Sequence, residues 1–73
     1  MDDYTPEIHG NNIQPGMVIQ FAGTVTAEDA QAPVFAAEVT GRAGNGLWLI
    51  PEDAPHAEVF AQIDPNRVYA IIG

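Results

Sequence analysis

Two apolar runs rich in β-forming residues, VFAAEVTGR (residues 34–42) and LWLIP (residues 47–51), stand on either side of Asn45-Gly46. Asn-Gly between such runs is the strongest short-range hairpin signal, because both residues tolerate the positive φ that a tight turn between twisted strands demands. The stretch predicts a β-hairpin with Asn45-Gly46 at its tip. Its glycines also raise the question of a phosphate-binding loop. A dinucleotide fingerprint needs G-x-G-x-x-G leading into a helix, and a Walker loop needs Gly-Lys-Ser/Thr. Here Gly41, Gly44 and Gly46 are spaced G-x-x-G-x-G, a strand run follows, and the chain has no lysine. With no helix N-terminus there is no dipole to favour a phosphate.

Alternation assigns faces within the hairpin. Val34, Ala36 and Glu38 share one side of the first run; Phe35, Ala37 and Val39 share the other, which is the better core face. In the second run Leu47 and Leu49 point one way, Trp48 and Ile50 the other. MVIQFAGTVT (residues 17–26) is a further strand, entered through the Pro15-Gly16 turn. Gly23 inside it marks a bulge or a barrel bend. RVYAII (residues 67–72) is a last strand after the turn DPN at Asp64–Asn66.

Two segments stay open. TAEDAQAP (residues 26–33) reads as a loop or as one helical turn, with Thr26 and Asp29 spaced like a capping box and Pro33 ending it. EDAPHAEVFAQI (residues 52–63) reads as a helix capped by Asp53 with Val59, Phe60 and Ile63 inward. It reads equally as a strand in which Val59, Ala61 and Ile63 alternate with Glu58, Phe60 and Gln62. Residues 1–12 are expected to be an extended lead-in and residues 13–73 a single domain. The expected fold is mainly β, a small five-stranded barrel with room for a short helix at 53–62 or 27–32.

The order of these elements over residues 14–73 resembles SH3-like (Src-homology-3-like) small barrels. PGMVIQF resembles their first strand, TAEDAQAP their long first loop, VFAAEVTGR and LWLIP their central hairpin, and EVFAQI their fourth strand. DPNR falls where these modules place a short 3₁₀ turn, before a final strand written VYAII. Three departures separate the chain from the peptide-binding members. TAEDAQAP has no aromatic, whereas their first loop carries an ALYDY-type segment. The site of their 3₁₀ tyrosine falls on Asn66 or Arg67. Their binding tryptophan opens the third strand, where this chain has Leu47, with Trp48 next to it. The resemblance therefore implies a barrel and not polyproline-peptide binding.

A chain of 73 residues buries a modest core. With no cysteine, disulfides and thiolate metal sites are excluded, which leaves association with a partner as a support. Ten acids against two arginines set the formal net charge at −8. Such a surface repels nucleic-acid backbones and anionic lipid and attracts a basic protein. The lysine-free composition, rich in Ala, Gly, Pro, Asp and Glu, suits a GC-rich genome, an actinobacterium or its phage. No apolar run reaches the ~20 residues of a membrane span. The acidic start MDDYTPEIHG is the opposite of a basic signal-peptide start, so a cytoplasmic location is expected.

Chemistry-bearing constellations are sparse. The chain lacks serine and cysteine, and its threonines have no partnered base. His9 and His56 are far apart in sequence with no ligand spacing. The adjacent acids Asp2-Asp3, Glu28-Asp29 and Glu52-Asp53 fall in turn-like segments. No catalytic role, cofactor or metal is expected. Partner contact is expected at Trp48 and Ile50, with Arg42 and, more weakly, Tyr69 and Tyr4. Trp48 itself reads either as core or as the centre of a contact patch. The expected function is a non-enzymatic, acidic protein-binding module that can self-associate. The alternatives are an acidic nucleic-acid mimic that inhibits a DNA-binding protein, and a small structural subunit of a virion or larger assembly joined through an open edge such as VYAII.

Overall fold

The computed structural model describes residues 6–73. In chain order the elements are β1 (Glu7–His9), a 3₁₀ turn (Gly10–Asn12), β2 (Val18–Ala27), β3 (Ala32–Ala43), β4 (Gly46–Pro51), β5 (Val59–Gln62) and β6 (Val68–Ile71). All pairings are antiparallel, and the strand order is β1-β6-β2-β3-β4-β5. β5 also returns to β2 through Ala27 opposite Ala61, which closes a near-barrel ring through β2, β3, β4 and β5. Among the described residues, no helix is long and apolar enough to cross a membrane.

β2 makes this closure possible by serving two neighbours along one edge. Its first half pairs β6 at Ile19 and Gln20, and its far end pairs β5 at Ala27. The bend between them sits at the glycine that the sequence marks. Phe21, Ala22, Gly23 and Thr24 of β2 stand against Phe35 alone of β3, because the register shifts between Gln20 and Val25. Ala22 and Gly23 take φ of 55° and 75°. Glycine adopts such angles without penalty and alanine does not. The Thr24 hydroxyl donates to the Phe21 carbonyl at 2.5 Å across the bend.

This bend corrects the face assignment of β3. Ala37 and Val39 are fully buried, as alternation requires, but Val34 is buried too and Phe35 is 56% exposed. The irregular pairing changes the phase of the strand at Phe35, so Val34 joins the inner face and Phe35 lies outside over Gly23. A methyl group at Gly23 would come within 2.9 Å of Phe35 Cε1. A second bulge falls between Val39 and Gly41, where Thr40 is the extra residue.

The inner face is filled by Ile19, Phe21 and Val25 of β2, Leu47 and Leu49 of β4, and Val59 and Ala61 of β5. Ile13 and Ile63 enter from the connections, and Tyr69 comes from β6. Each fully buried large side chain contributes about 1.5–3 kcal/mol. No polar or charged residue is buried among the described residues.

Four further expectations change. The sheet has six strands and not five, because Glu7–His9, within the stretch read as a lead-in, pairs with β6. Neither short helix forms. Residues 28–31 are a four-residue turn that closes the β2–β3 hairpin, with Gln31 at φ 50°, and 59–62 is a strand. The free edge of β4 offers β5 a ladder of backbone partners, whereas a lone helical turn leaves its terminal groups unsatisfied. The one helical piece among the described residues is the 3₁₀ turn at Gly10–Asn12; DPNR forms plain turns in which the Asn66 amide donates to Asp64 Oδ1 at 2.9 Å. Finally, the β3–β4 hairpin pairs Ala43 with Gly46, so its tip is Gly44-Asn45 and not Asn45-Gly46. Gly44 has φ 60°, and glycine at the first central position suits a type II′ turn.

Candidate functional site

The outer face of β3, β4 and β5 carries an aromatic pair seated on glycine. Trp48 lies opposite Gly41 on one side and opposite Phe60 on the other. The two rings are 4.7 Å apart between centroids and inclined at 52°. Directly opposed residues on one face of an antiparallel pair have close Cβ atoms, so large rings there must meet. β4 sets the direction. Leu47 and Leu49 are fully buried, which turns Trp48 outward, 41% exposed.

The glycines make this arrangement possible. A methyl group at Gly41 would approach Trp48 Cδ1 to 3.0 Å, and one at Gly46 would overlap the Phe60 ring. Each aromatic side chain therefore packs over a residue with no side chain, in space that a Cβ there would contest. The glycines that suggested a phosphate loop are partly a turn, at Gly44, and partly a floor for aromatics, at Gly41 and Gly46.

Polar groups rim the pair. The Thr40 hydroxyl donates to Glu58 Oε2 at 2.6 Å. Gln62 lies two residues beyond Phe60 on β5, opposite Gly46. Half-buried Ile50 follows Trp48 on the same face and pairs with exposed Glu38. The face thus has an apolar centre and a polar, carboxylate-bearing edge.

The other expected contact residues lie elsewhere. Tyr69 is 3% exposed and packs edge-on against Phe21 at 5.4 Å, while its hydroxyl accepts from the Asp64 amide at 3.3 Å. It is a core residue because its strand presents it to the inner face. Arg42 works within the fold. Its Nη1 donates to the carbonyls of Gly10 and Ile13 at 2.6 and 2.9 Å, and its Nε donates to that of Gly44 at 2.9 Å. It thus ties the 3₁₀ turn to the hairpin tip. Tyr4 lies outside the described residues. Phe60, which sequence reading did not single out, is the residue that lies beside Trp48. Its alternation with Val59 and Ala61 carried the signal, but only pairing with β4 sets it beside Trp48.

No family model matches this chain, and neither does any curated protein or solved structure.

Proposed function

We propose that this chain is a small, acidic, non-enzymatic protein-binding module whose contact face is centred on Trp48 and Phe60. Exposed Trp48, paired with half-buried Phe60 over Gly41 and Gly46, carries this reading. Tryptophan is prominent among the residues that dominate interface energetics, and a ring already packed against its neighbours loses little freedom on binding. The same reading takes the fold as an SH3-like small barrel in the cytoplasm. The β2–β5 meander, the return of β5 to β2 and the pairing of β6 with β2 support the barrel. The four-residue turn in place of a long first loop sets it apart from peptide-binding members.

The test is affinity capture from an extract of the source organism, with light scattering on the purified chain for self-association. A partner or dimer lost in Trp48→Ala and in Phe60→Ala, with both variants folded, supports the reading. A partner set and mass unchanged in both variants overturns it.

A second reading, the acidic nucleic-acid mimic, draws on one observation. All eight acidic residues between Glu7 and Asp64 are exposed. Carboxylates in that state can stand where phosphates stand on a basic surface. Binding to a DNA-binding protein that fails to weaken as salt rises would exclude it.

A further inference from the structure

The ring of strands is open at one end. There the β2–β3 turn meets the β4–β5 connection around a cleft of about 210 Å³. Its wall is made of small alkyl groups, among them Ala27, Ala32, Pro33, Pro51 and Ala54, and it holds a single charged residue, Asp53. A well-packed core fills such space with larger side chains. Here the short alanine and proline side chains leave a cleft open to solvent, at the barrel mouth where ligand sites commonly form.

We propose that this cleft receives a lysine or arginine side chain from a basic segment of another protein. The size limits the occupant, since small-molecule sites run to roughly 300–1,000 Å³ and this cleft is smaller. A single side chain fits it. The chemistry chooses which one. An alkyl wall with a carboxylate complements an alkyl stem that ends in a cation. A purely apolar side chain would leave exposed Asp53 at the cleft without a charge partner. The surroundings agree, because Glu28, Asp29 and Glu52 are exposed on the same two connections and no basic side chain other than His56 lies there. A second copy of this chain is a poor donor. It has no lysine, Arg42 is engaged with three carbonyls, and exposed Arg67 is a lone cation next to Asp64 and not a basic segment. The inference deepens the protein-binding reading by naming the partner's chemistry, and it uses a surface other than the aromatic face.

The test is a titration of the ¹⁵N-labelled full chain at low ionic strength with two capped peptides of equal charge. One is Gly-Lys-Gly-Lys-Gly; the other carries diaminopropionic acid, with its short stem, in place of lysine. The lysine peptide is expected to shift the amides of Ala30, Ala32, Ala54 and Ala57 and to bind more tightly than its short-stemmed counterpart. Asp53→Asn should weaken it about two- to fivefold, in line with an exposed charge pair. Ala54→Leu, which fills the cleft, should abolish the preference for the long stem. Equal binding of the two peptides, shifts scattered over the surface, no binding, or no effect of the isosteric Asp53→Asn would each overturn the assignment. Should the titration fail while Trp48-dependent capture persists, the cleft assignment falls alone. Should capture fail, the titration still reads the cleft directly.

Discussion

The ring of Phe60 occupies the space that a side chain at Gly46 would take. Gly46 pairs with Gln62, two residues from Phe60 on the same face of β5, and the ring reaches diagonally across to lie on its backbone. Gly46→Ala should therefore force the ring off its seat and destabilise the fold by about 1–3 kcal/mol. In a Phe60→Ala background the same substitution should cost far less. Urea denaturation of the four proteins in this double-mutant cycle measures the coupling. A coupling near zero would mean that the ring does not sit there.

Arg42 should matter for stability more than a half-exposed arginine ordinarily does. It donates to three backbone carbonyls drawn from the 3₁₀ turn and the hairpin tip. Hydrogen bonds to charged groups contribute about 1.5–3 kcal/mol, so Arg42→Met is expected to lose roughly that much. Arg42→Lys should recover little of it, because an ammonium cannot reproduce the fork of Nε and Nη1. Thermal melts of both variants check this, and full recovery by lysine would show that charge alone is at work.

Gln31 ends the β2–β3 turn at φ 50°. A side chain in the left-handed region costs about 1–2 kcal/mol, part of which glycine returns through the freedom it adds to the unfolded chain. Gln31→Gly should raise the urea midpoint by the equivalent of about 0.5–1 kcal/mol. A lower midpoint would contradict that conformation.

The two neighbours Trp48 and Leu49 should rank opposite to their sizes. Leu49 is fully buried, and Leu49→Ala should cost about 2–5 kcal/mol, a large part of what holds a small domain together. Trp48 is 41% exposed, and Trp48→Ala should cost about 0.5–1.5 kcal/mol, mainly the ring pair with Phe60. Denaturation of both variants gives the order. Acrylamide should also quench the single tryptophan readily in the native protein, and partner binding should protect it.

Much of the architecture is legible along the chain because it depends on neighbours in sequence. The period-2 run LWLIP sets Leu47 and Leu49 on one face and Trp48 on the other; which face lies inside was left to the structure, which buries the leucines. Gly23 marks the bend of β2, and the glycine-rich stretch before Leu47 marks a hairpin. Elsewhere the same rules mislead by small offsets. Simple alternation along VFAAEV puts Phe35 on the core face and Val34 on the other, yet both lie opposite to that, because the phase changes where four residues of β2 meet one of β3. The tip of the β3–β4 hairpin moves back by one residue for a related reason. Register is held by the buried Leu47 and Leu49, and Gly46 is needed inside the strand, beneath Phe60.

By itself, then, the sequence determined a lysine-free, acidic, cysteine-free chain of short strands and tight turns, with one tryptophan facing away from two leucines. Tertiary structure alone decided that residues 59–62 form a strand, that Glu7–His9 adds to β6, that Tyr69 is core, and that Phe60 stacks on Trp48. These all depend on pairings between segments distant in the chain. A strand acquires its faces from the partner whose backbone groups it satisfies, and a one-residue shift in that pairing exchanges inside for outside.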